Sequence, residues 1–475
     1  MNAPSGHLLG GFALTLAVIL GTGATPGARP AGMPAPPRSY AVDFVSTAAD
    51  GIDMNQAGHV VGSSRLDTGC GSTCLPPLDT VVWRNGQRVV LPAVPFSPTI
   101  FPVDINANGW IAGFAGVPGS TTHAVVWRPN GTAYQAIDLG NLPGKQMSFA
   151  AGIDDRNRVV GWSTTTNFPP MGLPFVWTAA GGMVDLTSLG FPADQPLAIS
   201  PGGTVGTQLA YYRLDDPGTA VALPAPPSGL EIGTDQFEIN DAGDEGRFLI
   251  DPTPERLVYL FRFHHDDGAW QRLTSTPTGH LTTYGVGSIT PSGDVTATVA
   301  GTGMVAFGPD GPAQPLAPVV SPAYGGGDVT FAGPENASGA ILSKLILGQS
   351  ARLVRLVPTE PCLTNCTRVA TLQVRATGPG FCNQGEARAK ASLVLQSETG
   401  AVLPGVRVTG HFLDDYWLDQ VVVGETNAQG QVQFTHRGPP CVGAFAFLVT
   451  NAETRDGRTF DRTAGVLADF AIPQG

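Results

Sequence analysis

Residues 104–113 read DINANGWIAG, and this decapeptide belongs to the pattern that decides the fold. An apolar residue is followed by two or three polar or small residues, a Gly and a second apolar stretch, which is typical of a tight turn between two strands. The pattern recurs as DMNQAGHVVG at 53, GIDDRNRVVG at 152, AISPGGTVG at 198, EINDAGDEG at 238, SITPSGDVTA at 288 and PENASGAIL at 334. Alignment on Met54, Ile105, Ile153, Ile199, Ile239, Ile289 and Glu335 gives spacings of 51, 48, 46, 40, 50 and 46 residues. A period in this range indicates a repeat architecture.

A second hairpin pattern follows the first within the repeats. Its copies read VVWRNGQRVVL at 81, VVWRPNGTAYQAIDL at 125, FVWTAAGGMVDL at 175 and LAYYRLDDPGTAVAL at 209. Two hairpins make four strands, which is the content of one propeller blade. The sequence therefore predicts an all-β fold, with a β-propeller of about seven blades over residues 39–358, while six or eight blades stay open.

The two ends of the repeat array complement each other. The last copy ends with ARLVRLV (351–357) and has no fourth strand, whereas YAVDFVS (40–46) precedes the first hairpin as a spare strand. We predict that residues 40–46 complete the last blade, because this closes the ring and removes an open sheet edge.

The stretch from 123 to 163 resembles the bacterial extracellular HAF repeat. The matching positions are His123, Ala124, Trp127, Gly131, Asp138, Leu139, Gly140, Leu142, Gly144, Ile153, Val159, Val160 and Gly161. Val125 stands where Phe is usual, and Asp154 where Asn is usual. The resemblance covers about 40–358, is clearest in the first three repeats, and implies an extracellular propeller-like architecture without any agreed catalytic motif.

From about Thr359 the period stops and alternating strands follow. RVATLQVRAT, ARAKASLVLQSETGAVLPGVRVTGHF, VVVGETNAQGQVQFTH and AFAFLVTNAET are separated by turn residues, which predicts an immunoglobulin-like β-sandwich over 359–475. The segments SETGAVLPGVRVTG, TNAQGQVQFT and FLVTN resemble bacterial Ig-like domains that are appended to secreted and surface proteins.

Composition and charge narrow the setting. The chain has 62 Gly and 42 Pro, only 13% charged residues, and a net charge of −12 that argues against nucleic acid as a partner. The apolar run LLGGFALTLAVIL (8–20) is too short to span a bilayer comfortably, so we predict a signal peptide over 1–28 and a Pro-rich linker over 29–38. The expected product is a secreted or cell-surface bacterial protein, monomeric and without a transmembrane segment after cleavage.

Six cysteines, an even number, predict disulfides in an oxidising compartment. The residues are Cys70, Cys74, Cys362, Cys366, Cys382 and Cys441. The first two pairs are close enough for local loops, which leaves the last pair for a longer bridge. Zinc is the alternative, but paired C-x-x-C spacing and accompanying His are missing. We predict that the insertion at 64–79, held by a disulfide, projects from its blade as a ligand loop.

Four groups of residues raise the question of chemistry or structure. Asp104, Asn106, Asn108 and Gly109 fit the front half of a calcium loop, but Ala115 replaces the required Glu and the sister copies vary freely, so a hairpin turn is predicted. The third-strand aromatics are predicted to pack between blades, with carbohydrate stacking as the alternative. They are Trp83, Trp127, Trp177, Tyr212, Phe261 and Phe307.

Two acidic clusters complete the candidates. His264, His265, Asp266 and Asp267 could ligate a metal, but FHHDDGAW reads as a solvated hairpin turn. Asp414, Asp415 and Asp419 could be an acid pair or a calcium edge, but an exposed loop is favoured. No catalytic, metal or cofactor site is therefore assigned.

The sequence narrows the possible classes of function but does not identify one activity. G-x-S-x-G, H-E-x-x-H, P-loop and sialidase-box motifs are absent. We predict a binding or interaction protein whose propeller face takes an extracellular glycan or protein, and the alternative is a carbohydrate-active hydrolase or lyase that uses channel-facing carboxylates. Acidic side chains that converge in the channel with raised pKa values would favour the enzyme, whereas a Gly, Ala and Val lining would favour binding. In a third interpretation the propeller is a spacer, and the Ig-like domain attaches the protein to its binding partner.

Overall fold

β-Strands make up almost all of the regular structure, as the composition predicted. The structure, a computed structural model, describes residues 39–46, 49–65, 78–84, 86–94, 97, 99–117, 121–165, 172–253, 257–274, 284–299, 301–308, 310–325, 328–347, 350–378, 387–414, 419–438 and 443–473. Within these residues the strands form nine four-stranded sheets. The predicted signal peptide, the linker at 29–38, Cys70, Cys74, Cys382, Cys441 and Asp415 lie outside them.

Seven sheets, which we call the repeat sheets, follow one another between residues 39 and 359. Strand β1 (Ser39–Ser46) belongs to the last of them. The first four consist of β2 (Ala49–Met54), β3 (Val60–Arg65), β4 (Leu78–Arg84) and β5 (Gln87–Val90); β6 (Ile100–Ile105), β7 (Ile111–Val117), β8 (Thr121–Asn130) and β9 (Ala133–Asp138); β10 (Met147–Ile153), β11 (Val159–Thr164), β12 (Leu173–Thr178) and β13 (Gly182–Asp185); and β14 (Ala198–Ile199), β15 (Thr204–Gly206), β16 (Ala210–Arg213) and β17 (Asp216–Ala222).

The other three repeat sheets have the same antiparallel meander. They consist of β18 (Glu231–Ile239), β19 (Glu245–Ile250), β20 (Val258–His264) and β21 (Ala269–Arg272); β22 (Tyr284–Ile289), β23 (Val295–Val299), β24 (Thr302–Ala306) and β25 (Ala313–Pro315); and β26 (Val329–Glu335), β27 (Ile341–Leu347) and β28 (Ser350–Thr359), with β1 as the fourth strand. Short 3-10 helices occupy Leu186–Leu189, Ala317–Val319 and Pro322–Tyr324.

The seventh repeat sheet joins the two ends of the array. Strand β1 pairs antiparallel with β28, in a register that runs from Ser39 opposite Thr359 to Phe44 opposite Val354. Residues 40–46 thus take the fourth-strand position that the sequence predicted for them. The first strand of each repeat sheet contacts the first strand of the next, and β26 of the seventh contacts β2 of the first. These contacts form a closed circuit.

Apolar side chains fill the space between neighbouring repeat sheets. One cluster joins Val61 and Val82 of the first sheet to Ile111 and Trp127 of the second. Another joins Trp83 of the first sheet to residues of the seventh, and equivalent clusters lie between the second and third and between the third and fourth sheets. The core of the repeat region therefore lies between sheets and depends on each sheet having its neighbour.

Two further sheets, which we call the C-terminal sheets, follow the repeats. Their strands are β29 (Cys366–Thr377), β30 (Ala387–Ser397), β31 (Arg407–Asp414), β32 (Asp419–Glu425), β33 (Gln431–Gly438), β34 (Phe445–Glu453), β35 (Thr459–Gly465) and β36 (Ala468–Ala471). One sheet has the order β33-β30-β29-β35, with β29 and β35 parallel, and the other has the order β32-β31-β34-β36. In β30 buried side chains alternate with more exposed ones, so one face of this sheet is covered.

No helix in the described residues combines the length and the apolar character needed to cross a membrane.

Candidate functional site

A cavity of about 1700 Å³ lies where the first strands of the seven repeat sheets meet. Its wall is formed by these strands and by the first-hairpin turns that follow them. We call the end formed by the turns the turn end, and the end where the first strands begin the opposite end. Turns between strands converge on this axial cavity, so we take it as the candidate ligand site of the described residues.

Acidic side chains dominate the charge of the cavity wall. None of the described residues that line it is Lys, Arg or His. The seven acidic lining residues are Asp53, Asp104, Asp155, Glu238, Asp241, Asp294 and Glu335. A cavity with charges of one sign repels ligands of the same sign, so phosphates, sulfates and uronic acids are disfavoured.

A β-bulge points Asp53 and Asp104 into the cavity. The pairing register shifts between Gly51 and Asp53 in β2, and between Pro102 and Asp104 in β6. Opposite the second bulge lies Gly113, where an added Cβ would come within 2.2 Å of the Phe101 carbonyl oxygen. The Gly that closes the repeat motif is therefore required because the bulge fills the space of a side chain.

Backbone amides of the next sheet hold both carboxylates in place. The Asp53 carboxylate accepts a hydrogen bond from the N–H of Ile105 at 2.7 Å, and the Asp104 carboxylate accepts one from the N–H of Ile153 at 2.7 Å. In the sixth repeat sheet the Ser288 hydroxyl accepts the equivalent N–H of Glu335 at 2.9 Å. These two Asp side chains therefore link neighbouring sheets as well as lining the cavity.

The pKa values of three lining carboxyls are raised. Burial raises the pKa of Asp104 well above its usual range, and the neighbouring charge of Asp53 raises it further. Burial also raises the pKa of Asp53, although its hydrogen bond with Asp104 opposes the shift. Two carboxyls in a mutual hydrogen bond share a proton. For Glu238, from the far side of the ring, burial and the charge of Asp53 raise the pKa to about 8.

Glu238 differs from the two Asp residues in its contacts. Among the described residues its carboxyl has no hydrogen-bond partner. The described residues also contain no group of three or more His, Cys, Asp or Glu placed to hold a metal ion. The lining carboxyls offer proton donors and acceptors to a ligand.

Aromatic rings form a row at the opposite end of the cavity. The ring centroids of Phe101 and Phe114 are 5.2 Å apart, those of Phe114 and Phe149 are 5.4 Å apart, and those of Phe149 and Trp162 are 5.5 Å apart. Phe101, Phe114 and Trp162 line the cavity. Phe101 is 50% exposed, so this aromatic row keeps an open face for a ligand.

Residues 104–113 contribute both to a turn and to the cavity wall. Asn106 and Gly109 form the predicted turn: the N–H of Gly109 donates to the carbonyl of Asn106 at 2.9 Å, and Gly109 has a φ of 76°. The Asn106 amide oxygen accepts the N–H of Trp110 at 2.9 Å, and its amide nitrogen donates to the carbonyl of Asp154 in the next sheet at 2.8 Å. Asp104 is not a turn residue, because it lies in β6 on the cavity wall.

The same bridging contact recurs around the turn end. The Asn55 amide donates to the Asn106 carbonyl at 3.0 Å, and the Asn240 amide donates to the Thr290 carbonyl at 3.2 Å. The Gln56 side chain accepts the N–H of Ala337, which links the first repeat sheet to the seventh. The repeated polar residue is thus a structural connector between turns.

The third-strand aromatics pack between sheets, as predicted. Trp127 is fully buried, and its indole N–H donates to the carbonyl of Pro92, which follows the last strand of the preceding sheet, at 2.8 Å. The register of the last two positions differs from the prediction: Phe263 and Ala306 take the equivalent places, where Phe261 and Phe307 were expected. Trp or Tyr marks this position in the first four repeat sheets, but neither residue stands there in the fifth and sixth, so the sequence does not fix their register.

The two other acidic clusters lie in hairpins. Residues 265–268 form the turn between β20 and β21, and the His265 ring contacts the Tyr211 hydroxyl. Asp414 ends β31 and is buried, where its carbonyl accepts from Arg352, while Asp419 begins β32 and contacts His411 at 2.7 Å. The exposed-loop prediction is therefore wrong for Asp414, because the guanidinium of Arg352 reaches its backbone.

Of the predicted disulfides, one lies within the described residues. Cys362 and Cys366 are joined by a disulfide bond. Most of the predicted ligand loop at 64–79 lies outside the described residues.

Sequence reasoning missed the two residues that most define the cavity. Asp53 and Glu238 occupy the position of Asp104 in their repeats, directly before the aligned apolar residue. At this position the seven copies carry Asp53, Asp104, Gly152, Ala198, Glu238, Ser288 and Pro334. The available signal was that the residue type at this position differs between copies and is acidic in three of them. Alignment on the turn residues alone does not reveal this.

Comparisons with known proteins add little to this geometry. No protein-family profile and no curated protein matches the sequence. A puromycin-hydrolyzing peptidase of Mycobacterium tuberculosis is 12% identical over 55% of this chain and 43% of its own, with a TM-score of 0.33, so this chain spans less than half of that peptidase. The extracellular domain of a hybrid two-component system from B. thetaiotaomicron is 9% identical over 87% of this chain and 67% of its own, with a TM-score of 0.31.

A periplasmic gluconolactonase of Pseudomonas aeruginosa is 11% identical over 67% of this chain and 99% of its own, with a TM-score of 0.32. At such TM-scores these similarities carry no argument about activity.

Proposed function

We propose that this chain is a secreted or cell-surface protein that binds an uncharged glycan in its axial cavity. The observation that carries the proposal is the composition of the wall, which combines the aromatic row with carboxyl groups and has no basic residue among the described lining residues. Sugars present apolar C–H faces to aromatic rings and hydroxyls to carboxyls, so both parts of the wall would be used.

The architecture we propose is a seven-bladed propeller of the HAF-repeat type with an Ig-like sandwich. The closed circuit of first strands and the pairing of β1 with β28 support seven blades. The C-terminal strand orders, with the parallel pair β29 and β35, support an Ig-like arrangement. The apolar run at 8–20 and the disulfide between Cys362 and Cys366 support an extracellular location.

Calorimetric titration with matched oligosaccharides tests this function. Uncharged oligosaccharides are the ligand candidates, and uronic-acid oligosaccharides of the same length are the controls for charge. We expect binding of an uncharged member and no binding of its acidic counterpart. Phe101→Ala should weaken binding at least tenfold, because it removes the exposed ring of the aromatic row.

Phe470→Ala is the matched control, since Phe470 is 47% exposed but lies on the C-terminal sheets. If no uncharged oligosaccharide binds, or if Phe101→Ala and Phe470→Ala have equal effects, the cavity is not a glycan site.

A carbohydrate-active enzyme is the second candidate, and the raised carboxyl pKa values favour it. A pKa of about 8 keeps Glu238 protonated near neutral pH, and burial also raises the pKa values of Asp53 and Asp104, whose carboxyls are hydrogen-bonded to each other. A proton donor and an acceptor in one cavity are what acid and base catalysis of glycoside cleavage requires.

Product analysis separates the enzyme from the binding protein. A bound oligosaccharide is incubated with stoichiometric protein and the products are separated by chromatography. Shorter products that disappear in Glu238→Gln would establish the enzyme, whereas a fully recovered ligand leaves binding alone.

A further inference from the structure

Closure of the repeat ring depends on one short strand from the start of the described chain. The eight residues of β1 pair with β28, and more than 300 residues separate the two strands. Bringing such distant segments together costs chain entropy, and that cost must be offset by contacts. The contacts that β1 makes outside its own sheet therefore decide how firmly the ring is closed.

We infer that the C-terminal sheets clamp β1 in the ring and are not an independent attachment module. The first part of this clamp consists of backbone contacts. The N–H of Ser321 donates to the carbonyl of Tyr40 in β1 at 2.8 Å, and the N–H of Leu467 donates to the carbonyl of Ala323 at 2.7 Å. The segment 321–323 is thus held between β1 on one side and the C-terminal sheets on the other.

Side chains repeat this connection. The Ser321 hydroxyl donates to the carbonyl of Thr463 at 3.0 Å, and the Arg462 guanidinium donates to the carbonyl of Val42 in the middle of β1. Phe44 of β1 contacts the ring of His411 in β31, with centroids 5.2 Å apart. Contacts therefore run along β1 from Tyr40 to Phe44.

A continuous apolar core supports these polar contacts. Tyr40 and Val42 of β1, Leu316 and Ala323 of the connecting segment, and Leu467 of the C-terminal region belong to one cluster of buried residues. The cluster continues through both C-terminal sheets, and residues 35–475 form one compact unit. Removal of the C-terminal sheets would expose this apolar surface at the seam of the ring.

Hydrogen exchange of the full-length chain tests the clamp. Leu467→Ala removes buried side-chain atoms at the contact, and Leu260→Ala removes the same atoms from an equally buried position in β20, away from β1. We expect exchange of the amides at 39–46 to become at least tenfold faster in Leu467→Ala and to change less than twofold in Leu260→Ala. Equal effects of the two variants on these amides, or no effect of Leu467→Ala, would overturn the inference.

Arg462→Ala provides a second variant that leaves the apolar core intact. It should also accelerate exchange at 39–46, by a smaller factor, because the polar contacts of Arg462 with Val42 and Tyr324 are lost while the apolar core stays. Six of the seven tryptophans lie between 83 and 270, so fluorescence at the start of each experiment verifies that the repeat sheets are folded. Unchanged exchange in Arg462→Ala, together with a Leu467→Ala effect that extends to all repeat sheets, would show general destabilisation and no clamp.

Discussion

The turn end and the adjoining wall of the axial cavity are built from the same seven strands, but the residues at these two places follow different rules. At the turn end the residue after the aligned apolar position is polar in every repeat: Asn55, Asn106, Asp154, Ser200, Asn240, Thr290 and Asn336. Two positions earlier the chemistry diverges, with Asp53, Asp104 and Glu238 in three copies and Gly152, Ala198 and Pro334 in others. The polar residue recurs because every sheet needs it in its turn. The residue two positions earlier varies because no such requirement applies there, and it can therefore serve a ligand.

The largest expected difference in stability is between a residue packed between two sheets and a residue exposed on the cavity wall. Trp127→Ala should lower the free energy of unfolding by about 3–5 kcal/mol, because it opens a cavity between two sheets. Phe101→Ala should cost less than about 1 kcal/mol, because half of the ring is exposed and little contact is lost. Urea unfolding followed by circular dichroism measures both, and similar losses would abolish the distinction.

The turn connectors should have the next largest effect. Asn106→Ala should cost about 1–3 kcal/mol, because the buried amide bridges two turns and leaves groups unsatisfied when it is removed. Asn108→Ala in the same turn is the control, since the contacts of Asn108 are exposed to water. Urea unfolding should rank Asn106→Ala as the more damaging variant, and the reverse order would show that the connectors do not hold the turn end.

Gly152 tests the boundary between the two classes. An added Cβ would lie 2.9 Å from the Asp104 carboxylate and 2.7 Å from Ile199, so Gly152→Ala should cost about 1–3 kcal/mol and displace Asp104. Gly116→Ala is the control, because there the nearest atom is 4.0 Å away. Thermal unfolding measures the loss of stability, and the oligosaccharide titration measures whether the displacement of Asp104 weakens binding. Unimpaired binding in Gly152→Ala would mean that Asp104 is not part of the ligand site.

The pH dependence of stability tests whether Glu238 is buried on the cavity wall. A carboxyl whose pKa is raised in the folded protein binds its proton more tightly there than in the unfolded chain. The stability that Glu238 contributes is therefore present below its unfolded pKa of 4.5 and is lost as the pH rises to about 8. Urea unfolding at several pH values should show this decline, and Glu238→Gln should make it shallower. An identical slope in Glu238→Gln would assign the decline to other groups.

Much of the fold could be read from local patterns. The turn motif and its spacing predicted the strand content, the order of the hairpins and the closing role of residues 40–46, because turn chemistry and apolar alternation are properties of neighbouring residues. The third-strand Trp residues were also predicted as packing residues, and Trp127 is fully buried. Register errors arose only in the fifth and sixth repeat sheets, where Phe263 and Ala306 occupy the third-strand position that Trp or Tyr marks in the first four.

The candidate site could not be read in this way. Asp104 was predicted to belong to a hairpin turn, although the β-bulge between Pro102 and Asp104 places it on the cavity wall. A bulge is a two-strand feature, and its only local trace is Gly113 in the partner strand. Phe101 and Trp162 likewise become one aromatic row only when two sheets lie side by side.

The repeating hairpins follow from local sequence, because each turn needs only its own Asn, Asp or Gly residues to form. Residues 106–109 of DINANGWIAG form such a turn regardless of what stands across the ring. The shared cavity of Asp53, Asp104 and Glu238, and the contacts of the C-terminal sheets with β1, depend on how the sheets pack together. These residues are distant in sequence, and their pKa values and contacts arise from burial and charges that exist only once the ring is closed.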